Sequence, residues 1–163
     1  PKFIDLVLEL KPEQVTLVPD SIEAITSNAG WNTIKYKDFL TDVIKTFKQA
    51  GIRTSIFVDP DPIMIRGAAE VGTDRIELYT ESYAANYELR KEKAIQPFIE
   101  AAKCATELGI GINAGHDLSL DNIQYFAKKI PNLLEVSIGH ALISEALYLG
   151  LDNVVNMYLH RLK

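Results

Sequence analysis

Hydrophobic and polar positions along this chain switch repeatedly between a helical and a strand period. Phe3, Ile4, Val7 and Leu8 share one helical face, and Lys11-Pro12 closes that run. Gln14-Val15-Thr16-Leu17-Val18 is short, partly β-branched and stopped by Pro19-Asp20, which predicts a strand. A polar loop leads through Thr26 to Trp31. Phe39, Leu40, Val43, Ile44 and Phe47 then return at helical spacing and end at Gly51, a residue suited to the left-handed position that closes a helix. The alternation continues, with strands expected over 52–58, 75–80, 110–113 and 134–138. Helices are expected over 62–71, 87–108, 123–130, 141–149 and 152–162. Asp59 or Asp61 caps the helix that Pro62 opens, and Ser119 caps the one before Pro131. Pro97 either sits in a first turn or kinks the long helix around it.

Five strands each precede a helix, so every strand-to-strand connection is a helical crossover, which forces parallel pairing. The pattern predicts one α/β domain over 1–163. Two architectures fit it: a doubly wound five-stranded sheet, or an incomplete (β/α)8 TIM barrel with about five of its eight βα units. A whole barrel takes roughly 200 residues or more, and this chain has 163.

Composition narrows the function classes. At 47% hydrophobic and 24% charged residues the chain is that of an ordinary globular protein, neither disordered nor a disulfide scaffold. A net charge of −5 repels phosphate backbones and anionic lipid, so neither nucleic acid nor a membrane surface is an expected partner. No apolar run approaches the roughly 20 residues of a span. Pro1-Lys2-Phe3 does not open a signal peptide, and Cys104 is the lone cysteine, which together predict a cytoplasmic protein.

Parallel α/β folds carry their functional groups at the C-terminal ends of strands. Residues there are Asp20 with the Thr26 loop, Asp59, Glu77 with Thr80, Asn113 to Asp117, and Gly139-His140. His116 follows two small residues that let a ligand approach, and an imidazole there suits general acid–base work; the plainer alternative is a loop histidine bonded to a carbonyl. Gly139-His140 opens a helix whose free amides can cradle a phosphate without Lys or Arg. Glu77 alternates against Ile76 and Leu78, so its side chain faces away from theirs, either used in a site or, more plainly, paired in the interior or turned outward on the helix side. His160, Cys104 and the Trp31–Tyr36 pair read as packing or helix-end residues. There is no dinucleotide or Walker-type glycine loop, no Cys-x-x-Cys and no His-Glu-x-x-His. His116 and His140 lack an evident third ligand, so no metal is expected.

Several runs occur in one order: Leu17-Val18-Pro19-Asp20, Ile25-Thr26-Ser27, Ala50-Gly51-Ile52, Ser55-Ile56-Phe57-Val58-Asp59, Ile76-Glu77-Leu78, Asn113-Ala114-Gly115-His116 and Ile138-Gly139-His140-Ala141. Together they resemble the pyridoxine 5′-phosphate synthase family, over the whole chain and most specifically in the last two runs. The resemblance implies a (β/α)8 barrel, a homo-octamer, small phosphorylated substrates and no cofactor. It implies condensation of 3-amino-2-oxopropyl phosphate with 1-deoxy-D-xylulose 5-phosphate, giving pyridoxine 5′-phosphate, phosphate and water. By that resemblance His116 matches the proton donor and Glu77 a charge-stabilising carboxylate. Thr26 matches a contact to the deoxyxylulose phosphate, and Asp117 matches a substrate contact, standing where the family pattern has glycine. Gly139 and His140 match the aminoketone phosphate cradle. The family's first three strands and their acid–base residues have no counterpart here, which implies an inactive isolated chain with open edges at its first and fifth strands. Two rivals remain: another barrel enzyme on a phosphorylated ketone, such as an isomerase, and a non-catalytic flavodoxin-like binding domain.

Overall fold

The structure, a computed structural model, describes residues 2–20 and 25–163. Its elements follow in the order α1 (Lys2–Leu10), β1 (Gln14–Leu17), α2 (Lys37–Gln49), β2 (Arg53–Val58), α3 (Pro62–Glu70), β3 (Arg75–Tyr79), α4 (Glu81–Ala94), α5 (Gln96–Glu107), β4 (Gly111–Gly115), α6 (Ile123–Lys129), β5 (Leu133–Ser137), α7 (His140–Leu149) and α8 (Leu151–Arg161). All five strands are parallel and lie side by side in chain order, β1-β2-β3-β4-β5. A doubly wound sheet needs a reversal of strand order to bring helices onto both faces. With no reversal, right-handed crossovers deliver every crossover helix, α2 to α6, to the same face.

The two faces differ accordingly. Leu17, Ile56, Ile76 and Ile112 pair across the sheet as one apolar row. They join a buried core with Leu40, Ile44 and Phe47 of α2, Ile65 of α3, Phe98 of α5 and Phe126 of α6. The opposite row runs Phe57, Glu77, Asn113 and Glu135, and the rows beside it carry Gln14, Thr16, Arg53, Ser55 and Arg75. Glu135 reaches this face through a register shift against β4 in which Leu134 is the extra residue.

That polar face is concave. In a flat sheet β1 and β5 would stand about 19 Å apart, four strand spacings. Yet Gln14 Nε2 on β1 donates to Glu135 Oε2 on β5 at 3.4 Å, and Arg53 on β2 lies 3.5 Å from Glu135. Arg75 completes the cluster, 2.9 Å from Glu135 and donating to Asn113 Oδ1 at 3.1 Å. No helix among the described residues is long and apolar enough to cross a membrane.

Local chemistry sets the element ends. Asp61, not Asp59, caps α3, its Oδ1 accepting from the Ile63 amide at 2.8 Å with Pro62 in the first turn; Asp59 instead accepts from the Gly30 amide at 3.3 Å. Gly51 and Gly109 take positive φ after α2 and α5. Three expectations change. The helix expected over 87–108 is two helices, with Pro97 in the first turn of α5 and α4 starting earlier, at Glu81. Ser119 does not cap α6 through its side chain: its amide donates to Asn122 Oδ1, and its carbonyl accepts from Ile123. Phe3 is half exposed, while Val7 is the residue of α1 that is buried.

Candidate active site

β4 ends at Gly115, and the space there explains the glycine. A Cβ on it would stand 2.8 Å from Glu77 Oε1 and 2.9 Å from Ser137 Cβ, and closer still to the Ser137 carbonyl oxygen. The chain then turns through His116 at φ +89°, a region that costs a side-chain-bearing residue about 1–3 kcal/mol. Surrounding hydrogen bonds hold it there. The His116 amide donates to Ser137 O at 3.1 Å. The buried Thr80 hydroxyl donates to Gly115 O at 2.6 Å and accepts from the Asp117 amide at 3.1 Å, and Asn122 Nδ2 donates to Asp117 O at 3.3 Å.

This turn places the His116 ring between two partners. Nδ1 lies 2.9 Å from Asp117 Oδ2, and Nε2 lies 2.7 Å from Thr26 Oγ1. The ring also meets Tyr79 edge-on at 5.6 Å between centroids and His140 at 6.1 Å, with Phe57 at 6.4 Å. Tyr79 packs on Phe57 and donates its hydroxyl to Ser27 O at 3.3 Å; Ser27 in turn donates to Asp20 Oδ2 at 2.5 Å. Thr26 and Ser27 are therefore fastened over the ends of β4 and β3.

Glu77 lies below the turn, 8% exposed, on the polar face beside Asn113. Burial pushes its carboxyl above the ordinary glutamate range; the hydroxyls of Thr16 and Ser137 and the nearby His116 pull the other way without cancelling it. Gly139 precedes α7 with open space where a side chain would be, and no side chain caps the first amides of that helix, which starts at His140.

The structure thus brings Thr26, Glu77, His116, Asp117 and His140 to one end of the sheet, with Gly139 at its rim. His160 is far from them, in the last turn of α8. A cavity of about 680 Å³ along α8, between Gln124, Leu149, Met157 and His160, contains none of the groups gathered at the sheet end. Cys104 is buried against Pro62 and Arg66. Trp31 packs on Tyr36 and donates to Leu17 O. Sequence reasoning passed over Thr16, Ser137 and Tyr79. Thr16, Tyr79 and Ser137 are alternate polar-face residues of their strands, so the period that singled out Glu77 also marks all three.

Comparison with known proteins adds an independent line. A family model described as pyridoxal phosphate biosynthesis protein PdxJ matches residues 1–163. A pyridoxine 5′-phosphate synthase of Flavobacterium johnsoniae is 70% identical over 161 residues, covering 99% of this chain and 68% of that protein. Synthases of Christiangramia forsetii and Cytophaga hutchinsonii are 64% and 60% identical, each covering 99% of this chain and 68% of the relative. The chain therefore spans about two thirds of the length of these curated relatives. Among solved structures, the crystal structure of the Amycolatopsis orientalis BexX/CysO complex superposes with a TM-score of 0.60 at 15% identity, over 97% of this chain and 59% of that one. At that identity it speaks to the fold alone.

Proposed function

Because the chain belongs to the PdxJ family of pyridoxal phosphate biosynthesis proteins, we propose that it is the part of a pyridoxine 5′-phosphate synthase that holds a proton donor and a phosphate cradle. In the intact enzyme its five βα units form part of a (β/α)8 barrel, a reading supported by the curl of the sheet that brings Gln14 to Glu135. The reaction condenses 3-amino-2-oxopropyl phosphate with 1-deoxy-D-xylulose 5-phosphate, releasing phosphate and water, and it needs no cofactor. The protein acts as a cytoplasmic homo-octamer.

The observation that carries the reading is the clasp on His116, held at a strand end between Thr26 and Asp117 in a chain of this family. His116 presents Nε2 to the reacting atoms and donates a proton to a departing oxygen, phosphate or water. Glu77, buried at the same end of the sheet, stabilises positive charge that develops on the condensing amine. Thr26 moves from His116 Nε2 to the deoxyxylulose phosphate when that substrate enters. The Asp117 amide, which now donates to the Thr80 hydroxyl, supplies the substrate contact at that turn. The open Gly139 and the first amides of α7, with His140, receive the aminoketone phosphate. No metal takes part in this assignment.

Phosphate release from the two substrates tests it on the full-length enzyme. An isomerase liberates none, and a binding domain turns nothing over. His116→Asn should lower kcat by about 10²–10⁴-fold, the usual weight of a general acid, with substrate affinities within a few-fold. Near-normal turnover in that variant removes His116 from the mechanism.

A further inference from the structure

The His116–Asp117 contact has a consequence that neither the family nor the reaction supplies. Asp117 Oδ2 is 2.9 Å from His116 Nδ1, and the two side chains are 29% and 22% exposed, so the pair is partly shielded from water. An ionised carboxylate has no hydrogen to give. Whenever this bond forms, Nδ1 must be the protonated nitrogen. In the neutral ring that leaves Nε2 bare, able to accept from the Thr26 hydroxyl 2.7 Å away. In the imidazolium it leaves the Nε2 hydrogen as the one not already bound to a carboxylate.

The backbone of Asp117 is fixed independently of its side chain. Its amide is tied to Thr80 and its carbonyl to Asn122. The carboxylate is therefore not needed to shape the turn. Its hydrogen bond is with the imidazole, and it reaches no other side chain among the described residues within bonding distance.

We propose that Asp117 is the positioning residue of His116, its carboxylate locking the imidazole as the Nδ1–H tautomer so that Nε2 alone exchanges a proton with the reacting atoms. The proposal rests on the reading of His116 as proton donor. When the imidazolium gives up its Nε2 proton, the ring that remains is the tautomer Asp117 already holds, so no ring flip is required before the next proton arrives.

Two substitutions in the full-length enzyme separate this role from packing. Asp117→Ala removes the acceptor. Asp117→Asn keeps the shape but offers an N–H as readily as an oxygen, and so admits the opposite tautomer. Both should lower kcat by about 10- to 100-fold, the range for a misplaced catalytic group, with KM changed less than about threefold. Imidazole ¹⁵N spectra, with the His116 signals assigned by their loss in His116→Asn, should show Nδ1–H in the neutral wild-type ring and a shift toward Nε2–H in both variants. Wild-type kcat in Asp117→Asn, or a neutral wild-type ring that is mainly Nε2–H, overturns the proposal. If the unsubstituted enzyme releases no phosphate, the functional reading falls instead, and the ¹⁵N spectra still decide the Asp117 coupling.

Discussion

Gly115 is where one added methyl group tests the packing and the site together. The new Cβ would stand 2.8 Å from Glu77 Oε1 and 2.9 Å from Ser137 Cβ, and would overlap the Ser137 carbonyl oxygen. That carbonyl belongs to β5 backbone and also accepts the His116 amide, so it cannot yield the way the end of a flexible side chain does. Overpacking of this kind costs about 1–3 kcal/mol, and losing the amide bond adds about 1 kcal/mol. Gly115→Ala should therefore destabilise the protein by about 2–4 kcal/mol. With a urea dependence near 2 kcal/mol per molar, the unfolding midpoint followed by circular dichroism falls by about 1–2 M. The His116 ring moves with the turn, and a displacement near 1 Å lowers kcat by about 100-fold. Gly139→Ala is the control for packing: its Cβ meets nothing within 4 Å, so its midpoint should fall less than that of Gly115→Ala, any cost being confined to the backbone at φ −106° and ψ −83°. A Gly115→Ala protein with unchanged midpoint and kcat refutes the contact between β4, Glu77 and β5 on which the site is built.

Two further predictions follow from charge. Burial raises the Glu77 carboxyl against its hydrogen-bond partners, so the folded state takes up this proton more readily than the unfolded one. Its destabilising effect is absent below the ordinary glutamate value, near pH 4.3, and grows as pH rises through the folded value. Glu77→Gln should thus raise the urea midpoint at pH 7.5 and leave it unchanged at pH 4, while turnover falls; an equal shift at both pH values contradicts this. Asp74 behaves oppositely. Burial pushes it up, but Lys48 at 2.8 Å and the amide and hydroxyl of Thr54, both at 2.9 Å, outweigh that and hold it below the ordinary aspartate range. Its contribution is present at neutral pH and lost as pH falls through the folded value. Asp74→Asn should cost about 1–2 kcal/mol at pH 7, reduced by its partial exposure, with the difference from wild type closing in acid when unfolding is repeated there.

The sequence made strands legible because each is bounded by strong punctuation. Gly51, Gly72 and Gly109 take positive φ just ahead of β2, β3 and β4, and the apolar runs between them are too short for helices. Glu77 was legible for the same reason, since a single polar residue between Ile76 and Leu78 has one place to point in a strand. The split between α4 and α5 was not. Ile95 and Phe98 continue one apolar face across the break, and of α4 only Tyr83 is buried, so little periodicity announces that helix. The non-helical Arg90 inside α4, at φ −154°, leaves no mark in the residue pattern. Nor did the pattern show that Asp117 would turn its side chain onto His116, because that contact depends on the positive φ of a histidine, a conformation sequence seldom signals.

A doubly wound sheet and a curled one differ in a feature the strands display. A doubly wound sheet is covered by helices on both faces, and its strands read as continuous apolar runs. Here Arg53, Ser55, Arg75, Glu77, Asn113 and Glu135 fall on one face and Ile56, Ile76, Leu78 and Ile112 on the other. Charged groups on that face would be costly under a helix layer, but they are affordable where the sheet curls until they meet one another. Arg53, Arg75, Gln14 and Asn113 do converge on Glu135. Sheet curvature and the polarity of the concave face are thus one property. That same concavity lets Glu77, two residues below Tyr79 in β3, sit beneath a histidine carried by the turn after β4. Replacing one of these polar groups by an apolar one should loosen the cluster before it disturbs the core on the other face, since the two share no side chains.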